Sequence, residues 1–124
     1  MSNLPSFTKK DLEAYYRRLD LIKQTAEQII KDFDWYGMEI KFSGDEATAY
    51  NELAGQLIPH IQKLLKSDYQ KLMQVLYHVD VNEKSVRWAT EKGSEIEIAS
   101  WLTDLIIERE LQKVVTRIYF SGRM

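Results

Sequence analysis

Residues 94–119 read SEIEIASWLTDLIIERELQKVVTRIY, and the predicted fold depends most on this part of the chain. It opens with Ser94 and, three residues later, Glu97. At this spacing a hydroxyl and a carboxylate can each satisfy a free backbone N–H at the start of a helix. No glycine or proline follows until Gly122. The stretch therefore predicts one long helix.

The apolar side chains of this helix change sides along its length. At about 100° per residue, the first half groups on one face Ile98, Trp101, Leu102, Leu105 and Ile106. The second half groups on roughly the opposite face Ile107, Leu111, Val114, Val115 and Ile118. A helix that is apolar on two sides needs cover on both. We therefore predict a central helix, or one that docks partly on a partner.

A heptad stripe predicts the first helix. Thr8 is its expected N-cap. Apolar residues then recur at alternating spacings of three and four, at Leu12, Tyr15, Leu19, Ile22, Ala26, Ile29 and Phe33. This pattern is typical of a helix packed along a neighbour. Gly37 is expected to end the helix in the left-handed conformation, with Met38 folding back onto it.

Residues 38–42 read MEIKF and alternate apolar and charged side chains, which in isolation is a strand pattern. A lone short strand would need a partner, so an extended connector is the preferred interpretation. Ser43 and Glu46 then predict a second capping box and a second helix. Pro59 lies inside that helix and is expected to kink it near Gly55.

Two shorter helices are predicted before the last one. Ser67 with Gln70 is the start signal of the third helix. The fourth helix begins at Asp80 with Glu83, or with Asn82 as its cap, and ends at Gly93. The predicted fold is an all-α bundle of about five helices in a single domain over residues 1–124, with long first, second (Pro-kinked) and last helices. The residues expected to be buried together are Leu19, Ile22, Leu57, Ile61, Leu76, Leu102 and Leu105.

The composition narrows the class of protein. The chain is 44% hydrophobic and 29% charged, as in soluble globular proteins. Its net charge of −2 argues against non-specific nucleic-acid binding, which needs a strongly positive surface. The chain has no cysteine, which excludes disulfides and Cys-ligated metal sites. Residues 1–8 lack a signal-peptide pattern and no apolar run approaches the roughly 20 residues of a membrane span, so we expect a cytoplasmic protein without a membrane segment.

Catalytic and metal-binding motifs are missing from the sequence. A di-iron bundle needs Glu-x-x-His pairs, but His60 and His78 follow Leu57 and Val75 at that spacing. The sequence has no nucleophile elbow, phosphate-binding glycine loop or His-Glu-x-x-His motif. We therefore expect no catalysis, metal or cofactor, and keep an enzyme with a scattered site as an alternative.

The candidate interaction residues lie in the last two predicted helices. Arg109, Lys113 and Arg117 follow each other at spacings of four and could present a basic ridge to an acidic partner. The preferred interpretation is that they offset the helix macrodipole. Arg109 is also expected to be partly buried and paired with Asp80 or with an acid of the second helix. Trp88 is either an exposed interface anchor or a cover for a neighbouring helix.

The most favoured function is that of a small cytoplasmic protein-interaction or regulatory protein, whose partner the sequence does not identify. A homodimer through the last helix, with Leu111 in the interface, is part of this prediction. The alternative is a DNA-binding protein that uses residues 69–92 as a helix-turn-helix. Residues 63–92 carry six basic and four acidic side chains. That is a weak footprint for DNA, so nucleic acid ranks below a protein partner.

Overall fold

The computed structural model describes residues 9–120, with side chains from Arg17 onward except that of Tyr119. Its elements are α1 (Lys9–Asp34), a 3₁₀ turn (Glu46–Thr48), α2 (Ala49–Ser67), α3 (Tyr69–Val79), α4 (Glu83–Lys92) and α5 (Glu95–Phe120). Every regular element within these residues is helical, which confirms the all-α bundle of five helices. The predicted cap Thr8 and the side chains of Leu12 and Tyr15 lie outside the described part.

Helix α5 is the centre of the bundle. It packs against all four other helices, α1, α2, α3 and α4. Leu102 and Ile106 in its first half and Val114 and Ile118 in its second half are all buried. Both predicted apolar faces are therefore covered in part within the chain, and α5 packs as the central helix that the sequence predicted. Leu111 remains 40% exposed.

The predicted core is buried more completely in the middle of the bundle than at its edge. Leu57, Ile61, Leu76 and Leu102 belong to the buried core cluster, and Leu105 packs against it. Leu19 and Ile22 are only partly buried, and they line a surface depression beside Phe42. Among the α1 side chains that the structure describes, the buried members of the heptad stripe are Ala26, Ile29 and Phe33.

The connector after α1 has the predicted extended form. Gly37 takes a φ of 77°, and the Met38 N–H donates to the Phe33 carbonyl at 3.0 Å, which ends the helix. No strand forms over residues 38–42. Instead the Gln56 side chain accepts from the Lys41 N–H at 2.8 Å and donates to the Lys41 carbonyl at 2.7 Å. One amide side chain thus replaces a neighbouring strand and satisfies the connector backbone.

The prediction of a capping box at Ser43 and Glu46 is wrong. Ser43 donates from its backbone N–H and its hydroxyl to the Glu52 carboxylate, at 2.7 and 2.8 Å. Asp45 caps the 3₁₀ turn instead, and α2 begins only at Ala49. Because Glu52 lies one turn inside α2, it can reach back to the connector and fix the entry of the helix.

The other helix starts agree with the sequence to within a residue or two. Asp68 caps α3 in place of Ser67, which is the last residue of α2. Asn82 caps α4, and Asp80 ends α3 in the left-handed conformation. At α5 the predicted box forms: the Ser94 N–H donates to Glu97 Oε1 at 3.0 Å and the Glu97 N–H donates to Ser94 Oγ at 3.4 Å. These bonds lower the pKa of Glu97.

Helix α2 continues unbroken through Pro59, whose ring is exposed to solvent. An exposed ring avoids a conflict with the core, although it removes the N–H that would bond to the Gly55 carbonyl. The kink itself stays a prediction. Among the described residues, no helix is both long and apolar enough to cross a membrane.

Candidate functional site

Helices α4 and α5 enclose an open groove of about 420 Å³, which we call the α4–α5 groove. Its apolar lining comes from Trp88, Ala89, Trp101 and Leu105, and its charged rim from Lys84, Asp104 and Glu108. The Trp88 and Trp101 rings lie 5.2 Å apart between centroids, tilted by 45°. Such a pair combines a large apolar area with faces that attract cations.

Gly93 positions Trp101 in this groove. A Cβ atom at residue 93 would lie 2.7 and 2.9 Å from two atoms of the Trp101 ring. No side chain larger than hydrogen fits there unless the indole moves. The glycine that ends α4 therefore also allows Trp101, nearly two turns into α5, to lie against the turn and face Trp88.

Trp88 is 56% exposed, so it is only partly used in packing against Trp101. Trp88 therefore covers α5 with one side and presents the rest to solvent, and its role as an interface anchor stays a prediction. Large exposed apolar side chains in a groove are candidate anchors for a partner.

Two carboxylates flank the tryptophan pair one helical turn apart on α5. The Tyr50 hydroxyl donates to Asp104 Oδ1, which fixes that side chain. This hydrogen bond, and then burial, raises the pKa of Tyr50 to about 12. Glu108 is exposed and has no ion pair with any described residue. Glu108 is therefore open to a cation from outside the chain.

A polar extension continues the groove toward the end of α3. It shares Ser85, Leu105 and Glu108 with the apolar part and adds Asp80, Asn82, Arg109 and Gln112. Arg109 Nε donates to the Asp80 carbonyl at 3.0 Å, and its Nη2 lies 2.8 Å from Asp80 Oδ2. The half-buried Arg109 paired with Asp80, which the sequence predicted, is thus confirmed.

A second site lies inside the bundle, where α1, α3 and α5 meet. Glu110 is fully buried and Asp32 nearly so. Lys113 Nζ lies 2.6 Å from Glu110 Oε1 and 3.6 Å from Asp32 Oδ2. His78 Nε2 lies 3.4 Å from Asp32 Oδ1, and Gln28 donates to the same oxygen at 3.0 Å. We call Asp32, Glu110 and Lys113, together with His78 at the exposed edge, the buried cluster.

Three oxygens of the buried cluster have no hydrogen bond to any described group: Asp32 Oδ2 and both oxygens of Glu110. Lys113 is close to two of them, but not at hydrogen-bonding angles. Burial, and then the interaction with Asp32, raises the pKa of Glu110 to about 8 against the opposing effect of Lys113. A protonated Glu110 can donate to Asp32, which would supply the missing hydrogen bond.

The pKa of Asp32 moves in the opposite direction. Burial alone would raise it, but hydrogen bonds with Glu110 and Gln28 and the charges of Lys113 and His78 hold it below its ordinary value.

The predicted basic ridge is used within the chain. Arg109 binds Asp80, Lys113 belongs to the buried cluster, and Arg117 donates to Gln28 Oε1 at 3.2 Å. The macrodipole interpretation and the acidic-partner interpretation of the ridge both stay predictions. Leu111 lies apart from the α4–α5 groove, in a shallow depression beside Ile22, Tyr50 and Ile107.

The basic residues of α4 that a helix-turn-helix would use, Lys84, Arg87 and Lys92, are all exposed. DNA binding stays a prediction, since exposure alone does not distinguish it from ordinary solvation. The described residues contain no group of three or more His, Asp or Glu side chains arranged to hold a metal ion.

A comparison with known proteins finds no matching family model, no matching curated protein and no matching solved structure.

Proposed function

We propose that this protein is an interaction module that binds a short segment of another protein in the α4–α5 groove. The observation that carries the proposal is the tilted pair of Trp88 and Trp101, half-open to solvent between two helices. Tryptophan is enriched among the residues that dominate binding energies at protein interfaces.

The charge of the groove selects the partner. Glu108 has no ion pair among the described residues and Asp104 stands one turn before it, whereas Lys84 is the one basic residue of the apolar part. A lysine or arginine of the partner would meet both a carboxylate and a tryptophan face. The proposed occupant is therefore a short segment with an apolar side chain next to a basic one.

The length of the groove fits such a segment. From Trp101 to Gln112 the helix rises about 16 Å at 1.5 Å per residue. Two to three turns of helix, or about five extended residues, cover that distance. The apolar anchor would lie at the tryptophan pair, and the polar extension at Arg109 and Gln112 would meet the rest of the segment.

The experiment is selection of peptides from a random displayed library on the purified protein, followed by calorimetry of the selected peptides. The expected result is enrichment of an apolar residue beside lysine or arginine. Trp88→Ala should weaken binding at least about thirtyfold, because a central anchor is worth about 2 kcal/mol or more. Glu108→Lys should also weaken peptide binding, and the loss of affinity should be larger at low salt than at high salt.

Trp35→Ala is the matched control, because Trp35 is 76% exposed and is not among the residues that line the groove or its polar extension. Binding that falls equally in Trp35→Ala and Trp88→Ala, or peptides without basic residues, would contradict the proposal. The DNA-binding alternative is tested on the same material by a mobility-shift assay at low salt, where a shift would favour it.

A further inference from the structure

The buried cluster holds more acid than base. Asp32 and Glu110 are both buried, and among the residues whose side chains the structure describes Lys113 is the one permanent cation within 4 Å of them. If both acids were ionised with His78 neutral, the cluster would bury a net negative charge, which is costly in a protein interior. One additional proton removes this charge, and it could reside on Glu110 or on His78.

The hydrogen bonds favour Glu110 as the carrier. Both ring nitrogens of His78 have partners, since Nδ1 lies 3.2 Å from the Tyr36 hydroxyl, which also donates to the Gln74 carbonyl, and Nε2 faces Asp32 Oδ1. The His78 ring therefore leaves no buried group unpaired. Asp32 Oδ1 is also filled by Gln28. Asp32 Oδ2 and the Glu110 oxygens are the groups left without partners. A proton on Glu110 completes the bonding of Asp32 as well.

We infer that Glu110 keeps a proton that it shares with Asp32, and that loss of this proton loosens the packing of the second half of α5 on α1. Glu110, Val114 and Ile118 follow at spacings of four and are all buried, so they form one stripe. Arg117 joins the same contact, because Gln28 accepts from Arg117 and donates to Asp32. An ionised Glu110, repelled by the Asp32 carboxylate, would therefore draw this stripe away from α1.

The groups that act on the pair come from three helices. They are Asp32 on α1, His78 on α3, and Lys113 beside Glu110 on α5. Helices α2 and α4 also pack on α5, but no ionisable group that the structure describes on them acts on either carboxyl. The pH response is thus expected to come from the cluster itself and to spare the first half of α5.

The direct test is a ¹³C NMR titration of protein labelled at the glutamate side-chain carboxyl. One glutamate should titrate near pH 8, well above the others, and its resonance should be missing from Glu110→Gln. Glu108→Gln is the matched control, an exposed acid two residues away that should leave the high titration unchanged. A wild type whose glutamates all titrate at ordinary values overturns the inference, even if Glu110→Gln fails to fold.

Hydrogen exchange tests the loosening of α5. A group with a raised folded-state pKa stabilises the contact fully below its unfolded value and loses that effect as pH rises through the folded value. Relative to intrinsic exchange, opening of the second half of α5 should rise up to about tenfold per pH unit from pH 5 to about 8 and then level off. Opening that is independent of pH in wild type, or equally dependent in Glu110→Gln, overturns the inference.

Discussion

Arg109 holds the end of α3 against α5 through both the backbone and the side chain of Asp80. Its guanidinium donates to the Asp80 carbonyl at 3.0 Å and to the carboxylate at 2.8 Å. Asp80 has a φ of 70°, a left-handed conformation that few residues adopt. The forked guanidinium therefore binds two groups that only this backbone conformation brings together.

Replacement Arg109→Lys should destabilise the fold by about 1 kcal/mol. An ammonium keeps the charge but cannot form both bonds in the same geometry, and the bond to the carbonyl is worth about that much. The ion pair with the exposed Asp80 carboxylate contributes little by itself. Urea denaturation measures the change. Arg87→Lys, at an exposed residue of α4, is the control and should stay within about 0.5 kcal/mol of wild type.

Two glycine-to-alanine replacements should have opposite effects. Gly93→Ala should cost about 1–3 kcal/mol, because its Cβ would overlap the Trp101 ring. Gly55→Ala should stabilise by up to about 1 kcal/mol, since residue 55 is an exposed helical position with nothing within 4 Å of an added Cβ. Thermal unfolding and tryptophan fluorescence of both variants give the answer. A stabilising Gly93→Ala with unchanged fluorescence would show that the groove does not need the close contact.

Truncation of the central helix should be severe at buried positions. Leu102→Ala should cost about 2–5 kcal/mol, because Leu102 is fully buried and the bundle can close the cavity only in part. Ile96→Ala provides the comparison, since Ile96 is on the same helix and 61% exposed. Its change should stay below about 1 kcal/mol. Equal losses in chemical denaturation would mean that α5 does not occupy the centre of the folded protein.

The helices were predictable because their signals are local. Periodicity indicated five helices, and Ser94, Asn82 and Gly37 mark boundaries with chemistry that acts over a few residues. The error at Ser43 has the opposite origin. Its hydroxyl binds Glu52, nine residues away, rather than the Glu46 that completes the local motif. A side chain on the next helix competes with the local cap for the same hydroxyl, and the spacing in the sequence does not show which hydrogen bond forms.

The buried cluster was missed although its signal is present in α5. Leu102, Ile106, Glu110, Val114 and Ile118 recur at spacings of four, and all five are buried. Each such step advances about 40° beyond a full turn, so one continuous stripe winds around the helix. Sorting the apolar residues onto two fixed faces skipped the acid between them. The α4–α5 groove could not be found this way, since it depends on how two helices lie together.

Leu111 provides the test of self-association. It is 40% exposed and shares a shallow depression with Ile22, Tyr50 and Ile107, between α1, α2 and α5. A twofold dimer would cover this patch in both copies. Sedimentation should then show a dimer at tens of micromolar, where an association of about 8 kcal/mol is nearly complete. Leu111→Glu should be a folded monomer, because its side chain can turn into solvent.

Val114→Glu is the control for that replacement. Val114 lies about one helical turn after Leu111, on the central stripe, and is fully buried. A glutamate there should therefore unfold the protein in any oligomeric state. A wild type that sediments as a monomer at tens of micromolar makes the dimer prediction wrong. If Leu111→Glu instead unfolds as Val114→Glu does, Leu111 belongs to the core that joins α5 to α1 and α2. The depression around it is then not a dimer interface.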